Sequence, residues 1–366
     1  MNICLIGDGL TSLVLAKILV NKKINVSLYG KKNKGIKFKS RTIGLSTSNF
    51  EFFSNEIINL KKKNVWPIKQ IEVYSEKYNN QKILNFKNSK RQLLSIIKNN
   101  EIYELLNNNL TKKKLFKKFF ITGNDFYRKI LKEKKYDLII NCDGGNRISK
   151  NFFYKKINKN YNSCAYTTII KHKKISNFKA VQIFTKLGPI AFLPISNYET
   201  SIVFSIIKNK SILNEKEIKN LIYQYNNNYY KIKKFTKLEK FELKFSALRN
   251  YHYKNIMMFG DGIHRVHPLA GQGFNMTLRD IKILCKIIQD RIDLGLHLNE
   301  TIFVEFENKM KHLNFIFGSS IDFIYEVFKL DNKLDNKCLN YLLKFANKNK
   351  FLHDLLSKYA DRGLAI

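Results

Sequence analysis

The sequence predicts an α/β protein in which an N-terminal β-α-β module is resumed near residue 247 after a sheet-rich insertion. Three observations predict it: an apolar run broken by GDG at 7–9, a series of strand-like segments between 161 and 245, and a second glycine-rich turn at 260–273. At about 150 residues per domain, 366 residues fit two domains or one large composite. With 44% hydrophobic and 13% aromatic residues against 26% charged ones, a disordered chain is excluded.

Each element follows from its pattern. NICLI at 2–6 is a short apolar run, and after GDG the residues Leu10, Leu13, Leu15, Ala16, Ile18 and Leu19 recur at helical spacing. A strand over Asn25–Tyr29 closes the unit. From about 54 to 135 the chain is rich in Lys and Asn with weak periodicity; a strand is expected over Gln70–Ser75 and a helix over about Gln92–Leu106. YDLIINCDGG at 136–145 reads as a buried strand ending in a turn. AYTTIIKH, AVQIFT, GPIAFLPIS and TSIVFSII then read as strands of a second module. NIMMFGDG restores the first style, followed by a helix over about Phe274–Ile292 and a helical tail to 366.

The charge is extreme: 66 basic against 29 acidic residues gives +37, and only nine of the basic residues are Arg. Lys and Asn are spread over the whole length, so the charge reads as drift at exposed positions that aids solubility and attraction to anionic membranes. Nucleic acid is not an expected partner. The five cysteines, at 4, 142, 164, 285 and 338, lack the spacing of a disulfide framework or a zinc cluster, which points to a reducing, cytoplasmic setting. The N-terminus carries no signal-peptide pattern, and no run of 18 apolar residues is present.

In so lysine-rich a chain, glycine position carries information. GDGLTS at 7–12 lies between strand and helix, where Gly7 permits a tight turn and Gly9 lets a pyrophosphate approach the backbone at a helix N-terminus. Ser12 replaces the usual third glycine and is small enough for close helix packing. The acidic residue expected at the end of the second strand to hold an adenosine ribose is missing, and Gly30 stands there. FGDGIHRVHPLAGQGFNMTLRDI at 259–281 places four of the sixteen glycines within fourteen positions. Asp261 can accept hydrogen bonds from ribityl or ribose hydroxyls, and the GQG turn leads into a helix whose free N–H groups favour an anion. His264 and His267 have no third or fourth ligand at suitable spacing, so packing and turn contacts are expected of them and no metal site is assigned.

In order along the chain, GDGLTS, RTIGLSTS at 41–48, DLIINCDGG at 137–145, GPIAFLPIS at 188–196 and GDGIHRVHPLAGQGFNMTLRD at 260–280 resemble the FAD-dependent aromatic hydroxylases of ubiquinone biosynthesis. The resemblance covers most of the chain to about residue 290 and is weak over 76–125 and in the tail. It implies a p-hydroxybenzoate-hydroxylase-like fold: a Rossmann-like FAD-binding domain of the glutathione-reductase type, an interposed mixed β-sheet substrate domain and a C-terminal helical segment. On this chain the expected divisions are 1–64, 90–155 and 246–300 for the discontinuous FAD domain, 65–89 and 156–245 for the substrate sheet, and 301–366 for the helical region.

The same resemblance implies the site residues. Gly7, Gly9, Leu10, Thr11 and Ser12 match the first phosphate loop, and Arg41 matches an arginine near the flavin. Asp143 and Gly144 match the second fingerprint, although Arg147 displaces the serine usual after it. Asp261 matches the acidic residue at the ribityl chain, Pro268 the proline that lines the flavin, and Gly271, Gln272, Gly273, Phe274 and Asn275 the loop and helix start at the isoalloxazine ring. Implied with them are FAD as cofactor, NADH or NADPH as co-substrate, and oxygen transfer from a C4a-hydroperoxyflavin to a polyprenyl phenol or quinol drawn from the membrane. The chemistry is flavin-borne, so no catalytic side chain is assigned. The setting implied is cytoplasmic and peripheral on an inner membrane, with a quinone-biosynthesis complex as a further partner. Three alternatives stand beside the hydroxylase: a flavoprotein of similar fold with other chemistry, such as a reductase or halogenase; a flavin-poor structural member of a quinone-biosynthesis complex; and a basic nucleic-acid binder.

Overall fold

A computed structural model of the chain describes residues 1–31, 40–61, 64–76, 81–87, 92–121, 123, 125–132, 135–208 and 213–331. The first part contains β1 (Asn2–Ile6), α1 (Leu10–Asn21), β2 (Asn25–Gly30), β3 (Thr42–Ser46), α2 (Thr47–Phe52), β4 (Trp66–Ile68), β5 (Gln70–Ser75), β6 (Gln81–Lys87) and β7 (Leu94–Lys98). It continues with α3 (Asn99–Leu110), β8 (Phe116–Phe120), α4 (Asp125–Lys132), β9 (Leu138–Asn141) and α5 (Arg147–Phe152). The middle holds β10 (Lys156–His172), β11 (Lys179–Thr185), β12 (Gly188–Pro194), β13 (Glu199–Ile207), α6 (Glu215–Asn226), β14 (Ile232–Phe235) and β15 (Glu239–Leu248). The last part holds β16 (His252–Tyr253), β17 (Ile256–Met258), β18 (His264–Arg265), α7 (Gln272–Asp293) and α8 (Thr301–Asp331).

The first sheet runs β16-β17-β9-β1-β2-β8 and is parallel except for the β16–β17 hairpin. Ile3, Cys4, Leu5 and Ile6 of β1 are all fully buried, as a central parallel strand covered on both faces requires. Ile3 sits opposite Val26 on one side and Leu138 on the other, which fixes the register. Helix α1 is buried from Ser12 to Val20 and contacts α3 and α7, so its apolar residues extend almost all round.

The large sheet runs β18-β15-β10-β13-β12-β11-β5-β6, with β14 also pairing with β10. Alternation along β10 divides its side chains: Cys164, Tyr166 and Ile170 join Ile218 and Ile222 of α6, while Ala165 joins Phe317, Ile321, Tyr325 and Phe328 of α8. With both faces covered, β10 is buried almost continuously from Ser163 to Ile170. The aromatic segment 315–328 of α8 is therefore core on one stripe, but Phe315, Ile316, Phe323 and Ile324 remain exposed on the other.

Fold class and most elements agree with the sequence reading, and one expected helix is corrected. Its first part, Leu94–Lys98, is strand β7, paired antiparallel to β3 and β4 in a small third sheet, and the helix begins only at Asn99. Ser95, Ile96 and Ile97 are buried there, where β-branched residues suit a strand enclosed on both sides. The same sheet takes β4, so Trp66–Ile68 leaves the large sheet that was expected to hold 65–89. The helical tail beyond Asp331 and Cys338 lie outside the described residues; Cys4, Cys142, Cys164 and Cys285 are free thiols. Among the described residues, no helix is long and apolar enough to cross a membrane.

Candidate functional site

Three turns at the carboxyl ends of parallel strands meet at one place. The β1–α1 turn is held by Gly7, whose φ of +103° favours glycine and whose N–H donates to the Tyr29 carbonyl at 2.7 Å. Gly9 caps α1 without a side-chain hydrogen bond, and a Cβ built on it would meet nothing within 4 Å. The N-terminus of α1 thus has no capping side chain competing for its first amides.

The second turn follows β9. Asn141 Oδ1 accepts from the Asp143 amide at 3.1 Å and from Asn146 Nδ2 at 2.8 Å, while Asp143 Oδ1 accepts from the Gly145 amide at 2.9 Å. Asn146 caps α5 by accepting from the Ser149 amide at 2.9 Å, and Ser149 Oγ donates to the Asp143 carbonyl at 2.7 Å. Ser149 therefore supplies a hydroxyl to this turn although Arg147 stands where the fingerprint serine was expected. Asp143 Oδ2 also lies 3.4 Å from Lys31 Nζ, just past the end of β2.

The third turn, after β17, is short. A Cβ on Gly260 (φ +63°) would come within 2.9 Å of the Thr11 methyl, so Thr11 packs this turn against α1. Asp261 stands exposed between Gly260 and Gly262.

Together the turns enclose a cavity of about 550 Å³. Gly7, Gly9, Asp143, Gly144 and Asp261 line it, five of the residues expected in the site. Sequence reasoning missed the other charged residues of the wall: Asp8 in the first turn, Lys31 after β2, and Lys156, Lys244 and Arg265 on the adjoining edge of the large sheet. Lys156 and Arg265 have no acidic partner among the described residues, and burial together with the neighbouring Arg265 charge lowers the Lys156 pKa. Lys244 pairs with Glu242 at 3.2 Å.

The remaining expected residues gather elsewhere. Pro268 leads into a 3-10 turn, Leu269–Gly271, and Gly271 (φ +65°) caps α7 without a side-chain hydrogen bond. A Cβ on Gly271 would lie 3.7 Å from the Gly44 amide, so this turn rests against β3, and a Cβ on Gly273 would lie 3.9 Å from Val266. Asn275 is fully buried and its polar atoms are taken up by the protein: Nδ2 donates to the Gly44 carbonyl at 2.8 Å, and Oδ1 accepts from the Ser46 amide at 3.1 Å and from Asn49 Nδ2 at 3.0 Å. Gln272 is buried and accepts from Arg279 at 3.5 Å. Leu10 and Phe274 pack against the main core, Ser12 is fully buried, and Arg41 is exposed at the start of β3, its carbonyl accepting from the Asn99 amide at 3.0 Å.

The two histidines do separate work. His264 Nε2 lies 2.6 Å from Asp280 Oδ2, and Asn314 donates to the other oxygen at 2.9 Å, tying β18 to α7 and α8. His267 is 1% exposed, stacks on Tyr325 with ring centroids 4.1 Å apart, and has no hydrogen-bond partner for either ring nitrogen among the described residues. Burial lowers its pKa to about 3.

Residues 135–365 match the family model described as squalene epoxidase. The chain belongs to the squalene epoxidase family. Its curated relatives include ubiquinone biosynthesis monooxygenase COQ6, mitochondrial, of Caenorhabditis elegans, 24% identical over 53% of this chain and 53% of that protein. Another is ubiquinone hydroxylase UbiL of Rhodospirillum rubrum, 23% identical over 47% of this chain and 41% of that protein. The chain spans about half the length of the curated relatives it matches. Among solved structures, p-nitrophenol 4-monooxygenase PnpA from Pseudomonas putida DLL-E4 matches with a TM-score of 0.77 at 11% identity, covering 100% of this chain and 98% of that one. A point variant of Klebsiella pneumoniae HpxO, complexed with FAD, matches with a TM-score of 0.72 at 10% identity over 99% of each chain. The fold is that of FAD-dependent hydroxylases, as the ordered motifs implied.

Proposed function

We propose that the chain is an FAD-dependent monooxygenase that hydroxylates the aromatic ring of a polyprenyl phenol in ubiquinone biosynthesis, with NADH or NADPH as electron donor and O2 as oxidant. The observation that carries this reading is the convergence of residues 7–9, 143–145 and 261 on one cavity at the carboxyl ends of β1, β9 and β17. Ligands of open α/β sheets bind at that position. The cavity's size falls within the range of roughly 300–1,000 Å³ typical of ligand sites.

The residues present fit FAD. The open space beyond Gly9 admits a phosphate to the amides of α1, and Asp261 offers a carboxylate to ribityl hydroxyls. Arg265 and Lys156 give the pyrophosphate two cations on the adjoining wall. Bound FAD would supply the oxygen-activating chemistry. The chain's own work is then to bind, to orient the ring against the turn at Pro268–Asn275, and to keep water out. The six-stranded sheet is the cofactor-holding module in this reading, and the large sheet with α8 covers the substrate. A membrane-derived substrate makes docking at an anionic inner-membrane surface, and contact with a quinone-biosynthesis complex, part of the same proposal.

The test is reconstitution and turnover. The purified protein is expected to be yellow or to become so with FAD, and to oxidise NADH or NADPH faster when a prenylated phenol is added. Disruption of its gene is expected to cause a phenolic quinone precursor, identified by mass spectrometry, to accumulate. A protein that stays colourless with excess FAD overturns the reading.

A further inference from the structure

Strand β2 ends at Gly30, where a dinucleotide site of this architecture ordinarily carries an acidic residue for the adenosine ribose. The geometry explains why no side chain stands there. A Cβ on Gly30 would lie 2.6 Å from Asp8 Cβ, 2.9 Å from its Cγ and 3.1 Å from Oδ2. The closest atom is one that the backbone of residue 8 fixes, so a rotamer change does not relieve the clash. Gly30 is pinned as well: its carbonyl accepts from the Ile121 amide at 2.8 Å, and it pairs with Phe120 of β8. Asp8 therefore fills the volume into which a residue-30 side chain would grow.

We propose that Asp8 accepts the adenosine-ribose hydroxyls of FAD, performing from the β1–α1 turn the task usually performed from the end of β2. Asp8 lines the cavity beside Gly7 and Gly9 and makes no hydrogen bond or ion pair among the described residues. Lys31, which follows Gly30, is engaged by Asp143 at 3.4 Å. The proposal rests on the FAD reading above. It requires that a carboxylate at residue 8 and a glycine at residue 30 be exchangeable as a pair, because only one of the two positions can project a side chain into that space.

The experiment measures the FAD dissociation constant of the apoprotein by quenching of flavin fluorescence, with FMN, which lacks the adenosine, as second probe. Asp8→Asn, nearly isosteric, is expected to weaken FAD binding about 10- to 100-fold by loss of a charge-assisted acceptor while leaving FMN binding unchanged. Gly30→Glu alone is expected to bind FAD poorly, and Asp8→Gly combined with Gly30→Glu to recover most of the wild-type affinity. Wild-type FAD affinity in Asp8→Asn, or equal losses for FAD and FMN, overturns the assignment of Asp8 while leaving the FAD reading intact. A wild-type protein that binds no FAD overturns both.

Discussion

Gly7 lies directly against Asp143: a Cβ at residue 7 would meet the Asp143 amide nitrogen at 3.2 Å, backbone against backbone. Neighbouring strands β1 and β9 thus deliver their two turns into contact, and the cavity floor is built where they touch. Gly7→Ala is expected to cost about 1–3 kcal/mol of stability, because its φ of +103° is unfavourable for alanine and the contact cannot relax without moving β9. Gly9→Ala is the matched comparison. Its φ is −74° and its Cβ direction is open, so folding should change by less than about 0.5 kcal/mol while FAD affinity falls. Urea unfolding read beside FAD titration separates the two, and a Gly9→Ala protein with wild-type FAD affinity would remove the phosphate from this turn.

His267 makes stability depend on acid. Its folded pKa, about 3, lies below the unfolded value near 6.5, so the unfolded state binds the proton more readily between these limits. The stability held above the unfolded pKa is lost as pH falls through that window, by about 2 kcal/mol at pH 5. His267→Phe keeps a ring to stack on Tyr325 and removes the titrating group, so its unfolding free energy should change less with pH between 6.5 and 5 than that of the wild type. Parallel pH profiles for the two proteins would show that the ring does not titrate with unfolding.

Asn275 joins the start of α7 to β3 and α2 through four hydrogen bonds among groups with almost no access to water. Asn275→Ala removes three buried side-chain hydrogen bonds, those with the Gly44 carbonyl, the Ser46 amide and Asn49 Nδ2, with an expected loss of about 3 kcal/mol or more. Asn275→Asp keeps the acceptor but faces the Gly44 carbonyl with a carboxylate and should be no better. Denaturant midpoints decide; a loss below about 1 kcal/mol would mean that water replaces the side chain.

What the sequence made legible is physically uneven. The turns at 7–12 and 260–275 stood out because Gly7, Gly260 and Gly271 take positive φ against backbone or the Thr11 side chain, a requirement that a lysine-rich chain cannot meet with its common residues. Strand β7 was hidden because LSIIK at 94–98 runs directly into the helical NNEIYELL, with no Gly or Pro to mark the change. Its strand character comes from β3, which is about fifty residues away. Asp8 went unnoticed because its partner is a missing side chain at Gly30. The cations on the cavity wall were lost among 66 basic residues: Lys156, Lys244 and Arg265 come together only through the pairing of β10, β15 and β18.

That pairing yields the last expectation. Arg265 sits opposite Ser246 in the β15–β18 ladder and shares the cavity wall with Lys156, close enough that its charge lowers the Lys156 pKa after burial has done so. Two cations without an acidic partner among the described residues repel each other, and an anion between them relieves the repulsion, so the arrangement favours a doubly charged pyrophosphate over a neutral ligand. Arg265→Gln should weaken FAD binding on the order of tenfold at low salt, the loss of one charge-assisted hydrogen bond. It should also flatten the salt dependence of binding, since one fewer charge is screened. Riboflavin, which lacks both phosphates, should bind the variant and the wild type alike. FAD affinity that keeps its salt dependence in Arg265→Gln would place the pyrophosphate away from the large sheet and leave the α1 amides as its main contact.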